Sequence, residues 1–282
     1  MCDVRNGSLV RRRQLARTLR ELRVHAGLTI EAAAPKLDVS PSKLSRIENA
    51  HQGVDVHIVR SMLDLFDVGG DRWTELLDLT RAAGAKGWWR AYGLDDQGYV
   101  PLESEATTVR DYTVTYVPGL LQTADYARAL FGTSLLARSQ AILERDVTVR
   151  MIRQERLTSA ERPLELLAVV DEAALRRILG GRAVMRAQLI HLVEIADRDT
   201  VTLQVLPAEV AAHPALDGAF SVLSFDGLGE PDMGYAEHPM GSVHVEKEEH
   251  VARARLVFDR LRSVALSPAE SVALIERVVA QI

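Results

Sequence analysis

A stretch near the N-terminus, V-S-P-S-K-L-S-R-I-E-N at residues 39–49, combines a helix start with side chains that could contact DNA. Ser40 followed by Pro41 favours a helix start, because serine caps free amides and a proline at the first position loses no hydrogen bond. Leu44 and Ile47 would face inward. The side chains left for the exposed face are Ser42, Lys43 and Arg46. An arginine there can bond two acceptors of a guanine, and a lysine can reach guanine or phosphate. The stretch is therefore either a DNA-reading helix or an ordinary capped helix with a solvated face.

Helices before and after this stretch would hold it in place. Leucines at helical spacing predict a first helix that ends near Gly27, and Thr29 caps a second helix in which Pro35 should cause a bend. Two short helices joined by a tight turn fit the major groove of B-DNA. Two further helices, from about Val56 to Phe66 and from Asp71, complete an all-α, five-helix domain over residues 1–83.

The run from Leu19 to Asn49 resembles, position by position, the helix-turn-helix domain of the Xre family, to which the phage repressors Cro and CI belong. The resemblance includes the A-G-L-T segment before the second helix and the pattern S-x-x-x-L-S-x-x-E-N, and it extends over about Leu9 to Ala82. It implies that three residues read bases, namely Ser42, Lys43 and Arg46. It implies backbone contacts from Ser40, Asn49, His51 and Gln52.

The same resemblance implies a structural role for Glu48, which would be repelled by phosphate if it faced DNA. The matching glutamate of the phage repressors pairs with an arginine of the first helix, which is Arg23 here. Two positions depart from the family pattern. Ile30 stands where a glutamine is common, and Pro41 occupies the first reading position, so we expect base readout to depend on Lys43 and Arg46.

Residues 84–282 show a different, α+β pattern. Strand-like runs occur at 164–170, 201–206, 219–225, 233–238 and 241–246, with helical segments between and after them. Short turns separate the last three runs, which predicts a small antiparallel sheet. The segment before them, P-L-E-S-E-A-T-T-V-R-D-Y at 101–112, is typical of a helix.

Part of this second domain also resembles a known group. The segment Y-V-P-G-L-L-Q-T-A-D-Y-A-R-A-L, Tyr116 to Leu130, with V-D-E-A-A-L-R-R-I-L-G-G and V-T-L-Q-V-L-P, is similar to the C-terminal domain of actinobacterial Xre-type regulators described as antitoxin-like. Those regulators are often encoded beside a small acidic partner protein. The resemblance implies a domain that meets a partner protein or small-molecule ligand, assists dimerisation and performs no reaction.

Candidate catalytic residues are scattered. Asp171 and Glu172 accompany several histidines, but H-E-x-x-H, G-x-S-x-G and a phosphate-binding glycine loop are all absent from the sequence. We therefore expect no enzyme, no metal and no cofactor, and Asp171 is predicted to cap a helix. The long loop at 207–218 indicates a ligand or partner site formed by His213, Tyr235, Glu237 and His244.

Charge is divided along the chain. Residues 1–60 hold 11 Lys and Arg against 6 Asp and Glu, a net of +5, which leaves 23 against 33, a net of −10, for the remainder. A basic segment on an acidic body is typical of a nucleic-acid-binding protein. Apolar runs too short to span a membrane, the lack of a signal sequence and a single cysteine, Cys2, favour the cytoplasm. The leading hypothesis is a transcriptional regulator that binds double-stranded DNA as a homodimer; the alternative is an antitoxin-like protein–protein interaction module.

Overall fold

The computed structural model of the protein describes residues 9–94, 98–134, 139–227 and 229–282; Cys2 lies outside them. The chain divides into two compact units. The first comprises Met1–Glu105 with Asp226–Glu230, and the second comprises Ala106–Phe225 with Pro231–Ile282.

The first unit is helical. It contains α1 (Leu9–His25), α2 (Ile30–Lys36), α3 (Pro41–Glu48), α4 (Val56–Leu65) and α5 (Gly70–Gly84), and α2 ends one residue after Pro35. Its core joins the inward faces of these helices and includes Leu15, Leu19, Leu44, Ile47, Met62 and Leu76. Burial of these apolar side chains, rather than helix propensity, stabilises such short helices.

The count of five helices is incomplete. A 3₁₀ helix (Trp88–Tyr92) and α6 (Tyr99–Glu105) also belong to the first unit, which therefore extends past the expected limit at residue 83. Trp89 is fully buried, and Arg11 of α1 forms an ion pair of 3.2 Å with the buried Glu105. A large aromatic side chain and a buried charge pair thus attach this segment to the helices before it.

The first four helices end in the same way. The residue after each C-cap has a positive φ: 69° at Gly27, 52° at Asp38, 57° at Ala50 and 57° at Asp67. The next residue donates its backbone N–H to the carbonyl five residues earlier, as from Val39 to Ala34 at 3.1 Å and from His51 to Arg46 at 2.9 Å. This is the Schellman motif, which satisfies carbonyls that the helix leaves free. Three of the four motifs use a residue other than glycine.

The second unit is built on a six-stranded sheet. The strands are β1 (Thr108–Thr113), β2 (Glu165–Asp171), β3 (Val201–Leu206), β4 (Phe220–Phe225), β5 (Glu230–His238) and β6 (Gly241–Val245), in the order β3-β2-β1-β4-β5-β6. β1 is parallel to β2, and β2 to β3, whereas β1 with β4 and β5 with β6 are antiparallel.

The predicted antiparallel sheet is therefore only part of the structure: its three runs are the neighbouring strands β4, β5 and β6, and β5 with β6 is antiparallel. The sheet is mixed, and its central strand β1 lies in the segment that the sequence assigns to a helix. That helix, α6, stops at Glu105, and T-V-R-D-Y-T follows as a strand. Parallel strands require crossover connections. These are α7 (Ala124–Phe131) with α8 (Gln140–Gln154), and α9 (Glu172–Arg176) with α10 (Arg182–Ile195).

Two C-terminal helices complete the second unit. They are α11 (Glu248–Val264) and α12 (Pro268–Gln281). Phe258 and Leu261 of α11 pack with Tyr112, Val169 and Leu206 of the sheet. Ser267 and Glu270 form a capping box at the start of α12, in which the side chain of each residue accepts a backbone N–H of the other. No helix in the described ranges is long and apolar enough to span a bilayer.

Candidate nucleic-acid interface

The helix α3 is held in the first unit by its cap and its apolar side chains. Ser40 Oγ accepts the backbone N–H of Lys43 at 3.2 Å, and Pro41 occupies the first helical position. Leu44 and Ile47 are buried, so one side of the helix is fixed against the core. The cap and the apolar pair together determine which face of α3 meets solvent.

Three side chains predicted to read bases lie on or beside that solvent face. Ser42 and Arg46 are exposed and, four residues apart, lie one turn from each other on the same face; Lys43 is half-buried. Serine, lysine and arginine are all hydrogen-bond donors, and two of the three are cations. The face can therefore donate to guanine acceptors or to phosphate oxygens.

The residues expected to touch the DNA backbone are tied to the ends of α3. Asn49 donates from Nδ2 to the Ser45 carbonyl at 2.8 Å, which fixes the end of the helix. The Arg46 carbonyl accepts the backbone N–H groups of His51 at 2.9 Å and Gln52 at 3.2 Å. Ser40, Asn49 and His51 are exposed, and Gln52 is half-buried. Their positions at the two ends of one short helix are compatible with contacts to flanking phosphates.

The carboxylate of α3 faces away from solvent. Arg23 Nε lies 2.7 Å from Glu48 Oε1 and Arg23 Nη2 lies 2.9 Å from Oε2, so the pair is bidentate. Both residues are buried, at 7% and 4% exposure. The hydrogen bond with Glu48 raises the pKa of Arg23. Arg23 Nη1 also donates to the Leu28 carbonyl at 2.5 Å, a contact that side-chain patterns cannot indicate.

This buried pair has an electrostatic consequence. Glu48 is the only acidic residue of α3, and its charge is balanced by Arg23 inside the unit. The side chains that remain exposed on α3 therefore present positive charge without a competing carboxylate of the same helix. Such a surface attracts the phosphates of DNA.

The four residues predicted to form a ligand or partner site are not gathered at one place. The Tyr235 and His244 rings pair across β5 and β6 with their centroids 5.2 Å apart. His213 instead contacts Tyr112 edge-to-face at 5.9 Å. Ser224 Oγ accepts from Arg110 at 2.9 Å and donates to Asp232 at 3.0 Å, so Asp232 lies on the same face of the sheet as Arg110 and Tyr112. Because side chains alternate along β5, Glu237 points to the opposite face from Asp232. His213 thus lies on one face of the sheet and Glu237 on the other.

Residues 116–130 are largely buried, and side-chain hydrogen bonds hold them in place. Gln122 and Gln188 are fully buried, and Gln122 donates to the Val117 carbonyl at 2.7 Å. Gln188 donates to the Leu121 carbonyl at 2.7 Å and accepts the Thr123 N–H at 2.7 Å. These bonds satisfy backbone groups that an irregular buried segment would otherwise leave without partners.

Asp171, the last residue of β2, and Glu172, the first of α9, have structural partners. Asp171 Oδ1 accepts the Ala173 N–H at 2.8 Å, which confirms its predicted role as the cap of α9. Burial acts to raise the pKa of Glu172, but hydrogen bonds from the Ala208 N–H and from Arg176 outweigh it, so the pKa is lowered. Within the described ranges, no three His, Cys, Asp or Glu side chains gather into a potential metal site.

Comparison with known protein families matches both parts of the chain. A helix-turn-helix domain matches residues 14–77, and a domain of unknown function, DUF5753, matches residues 97–277. No curated protein and no solved structure matches the chain. The helix-turn-helix match agrees with the capped pair α2–α3 and indicates a DNA-binding domain. Because the second match extends over more than half of the chain, the protein belongs to the DUF5753 family, here with an N-terminal helix-turn-helix domain.

Proposed function

We propose that the protein is a sequence-specific transcriptional regulator that binds double-stranded DNA as a dimer and is modulated through its second unit. The observation that carries this proposal is the composition of the exposed face of α3. Ser42 and Arg46 are exposed and Lys43 is half-buried, while Glu48 is withdrawn into a buried ion pair with Arg23. Solubility alone does not require the single carboxylate of α3 to be buried in an ion pair.

In this proposal the side chains of α3 have separate tasks. Arg46 donates two hydrogen bonds to a guanine in the major groove, Lys43 contacts guanine or phosphate, and Ser42 contacts a neighbouring base. Phosphates on either side are contacted by Ser40, Asn49, His51 and Gln52. One short helix reads only a few base pairs, so two copies on half-sites about one helical turn apart supply the remaining affinity and specificity.

We assign the second unit a regulatory rather than a catalytic role. Its most prominent acidic pair already serves the fold, since Asp171 caps α9 and Glu172 accepts the Ala208 N–H. A small partner protein or a small-molecule ligand would act on this unit and change the affinity of the dimer for DNA. We also propose that the helix-turn-helix domain is of the Xre type and that the protein acts in the cytoplasm.

The first experiment identifies the operator and then removes one proposed base contact. DNA fragments retained by the purified protein are sequenced, and binding of wild type and Arg46→Ala is measured on the recovered sequence and on random DNA. We expect the substitution to weaken operator binding by about 1–3 kcal/mol and to relax the preference at one base pair. The affinity for random DNA should fall less, because non-specific binding depends on phosphate contacts.

The matched control is Arg72→Ala. Arg72 is an exposed arginine of the same unit that pairs with Glu75, and its removal should leave operator binding unchanged. Equal losses on operator and random DNA would show that Arg46 does not read a base. Absence of any DNA binding at low salt would reject the proposal and favour a module that binds only a partner protein.

A further inference from the structure

The two edges of the six-stranded sheet differ in how they are covered. At one edge, the outer side of β3 is occupied by the connection between α11 and α12. The Val205 N–H donates to Ser271 Oγ at 2.8 Å, and the Val205 carbonyl accepts the Leu266 N–H at 2.9 Å. Gln204 Nε2 also donates to the Leu266 carbonyl at 2.9 Å. This edge cannot accept another strand without losing these bonds.

At the opposite edge, β6 has no further strand beside it among the residues that the structure describes. Residues 241–244 are exposed and Val245 is half-buried, in the last strand of the sheet order. Val243 is 57% exposed, and Met240 just before the strand is 88% exposed. The outward backbone groups of such a strand can pair with another strand.

The composition of β6 does not protect it from pairing. Edge strands are commonly blocked by lysine, proline or a bulge. The strand G-S-V-H-V contains neither lysine nor proline, has no carboxylate, and pairs with β5 residue by residue from His238–Gly241 to Gly234–Val245. It is a short, regular edge without Lys, Arg, Asp or Glu, on an otherwise acidic unit.

We propose that β6 is the dimer interface and that it pairs antiparallel with β6 of a second copy. Each copy carries a net charge of −5, so a contact surface without acidic side chains adds least to the repulsion between two copies. Twofold pairing centred on Val243 keeps all five residues of each strand paired and sets Val243 of the two copies side by side. It sets Glu246 opposite Met240 of the second copy, so that the nearest carboxylates do not face each other.

This inference deepens the proposed function, which needs two copies on DNA, but it does not depend on DNA binding for its test. A five-residue strand pair forms a small interface, so we expect a dimer that dissociates on dilution. Sedimentation of the full chain without DNA, over a series of concentrations, measures this equilibrium directly. A chain that stays monomeric at every concentration would overturn the inference and leave the assignment of Arg46 untouched.

Charge substitutions at Val243 test the position of the twofold axis. Either Val243→Lys or Val243→Glu alone places like charges side by side and should weaken dimerisation by about fivefold. A mixture of the two variants should dimerise again, since opposite charges then meet. Val243→Thr, which is neutral and β-branched, should dimerise like wild type. Circular dichroism of each variant checks that the fold is retained.

A matched control distinguishes this edge from other exposed apolar positions. Leu256 on α11 is 70% exposed, and Leu256→Lys should leave dimerisation unchanged. A dimer lost in Leu256→Lys but kept in Val243→Lys would place the interface on α11 and overturn the inference.

Cross-linking gives an independent measurement of distance. Cys2 is the single cysteine, so the C2S/V243C variant carries one thiol, placed at the proposed axis. Residues opposite one another in antiparallel strands have Cα atoms about 4.5–5.5 Å apart, within the range that a disulfide spans. Mild oxidation should link C2S/V243C into a dimer and leave C2S/L256C unlinked. Equal linking of both variants would contradict strand pairing at β6.

Discussion

Two segments of the protein have recognisable sequences, the pair α2–α3 in the first unit and residues 116–130 in the second, and buried polar side chains hold both. Arg23 and Glu48 secure the first, and Gln122 and Gln188 secure the second. The two segments differ in how many of their side chains remain exposed to solvent. The first leaves Ser42 and Arg46 exposed, whereas the second buries most of its residues from 117 to 127.

A recognisable sequence pattern can therefore have two causes, because its polar residues either form an exposed binding face or stabilise the fold. In α2–α3 the fold uses the apolar and capping residues and leaves a polar face for a partner. In 116–130 the buried polar residues Gln122 and Tyr126 bond to backbone groups of the segment, and Gln188 of α10 bonds to two more. The partner or ligand that we propose for the second unit would therefore bind elsewhere on its surface.

The largest expected effect is on the buried ion pair. Glu48→Ala leaves the Arg23 guanidinium buried without its carboxylate, which should destabilise the first unit by about 3 kcal/mol. All three tryptophans, residues 73, 88 and 89, belong to this unit, so tryptophan fluorescence during urea unfolding reports on it. A double variant, R23M/E48M, should recover most of the loss, because it leaves no unpaired charge.

The control for this prediction is an exposed pair in the same unit. Arg72 and Glu75 lie 3.1 Å apart with side chains 57% and 62% exposed, so Glu75→Ala should change stability by no more than about 0.5 kcal/mol. Similar losses in the two variants would mean that burial of the Arg23–Glu48 pair does not determine its importance.

The second prediction concerns the buried glutamine of the second unit. Gln188→Leu replaces the amide with an apolar side chain of similar size and leaves the Thr123 N–H and the Leu121 carbonyl without their bonds to Gln188. We expect a loss of about 2 kcal/mol, seen by far-UV circular dichroism and not by tryptophan fluorescence. Gln140→Leu is the control, since Gln140 is exposed and bonds only to Glu144 among the described contacts. A fluorescence transition that moves with Gln188→Leu would show that the two units do not unfold independently.

Local signals explain why the first unit could be predicted from sequence. Ser40, Thr29 and the spacing of Leu44 and Ile47 are read within one helix or turn, and each has the expected structural role. The pair of Arg23 with Glu48 needed the family resemblance, since 25 residues separate its members. The Leu28 carbonyl that also binds Arg23 follows from how the chain leaves α1, which no side-chain pattern encodes.

Non-local pairing explains why the second unit was predicted less well. β1 contains an arginine and an aspartate at adjacent positions, Arg110 and Asp111, so it lacks the apolar run of a central strand. Its place is set by strands more than 50 residues away, β2 and β4. Without β1, the sequence does not show which residues share a face of the sheet, so the prediction groups His213 with Tyr235 and Glu237, which lie on the opposite face.

The smallest expected effect concerns a helix end of the DNA-binding unit. Ala50 follows the C-cap of α3 with a φ of 57°, in the left-handed region that disfavours a side chain with Cβ. Ala50→Gly should stabilise the first unit by about 0.5–1 kcal/mol, since the relief of strain exceeds the added entropy of the unfolded chain. Ala32, exposed and helical in α2, is the matched control, and Ala32→Gly should instead destabilise the first unit by a similar amount.

Because His51 and Gln52 keep their bonds to the Arg46 carbonyl, Ala50→Gly should raise the unfolding midpoint without weakening operator binding. A stabilised variant with weaker DNA binding would instead show that the strained turn holds this loop in the position that DNA requires.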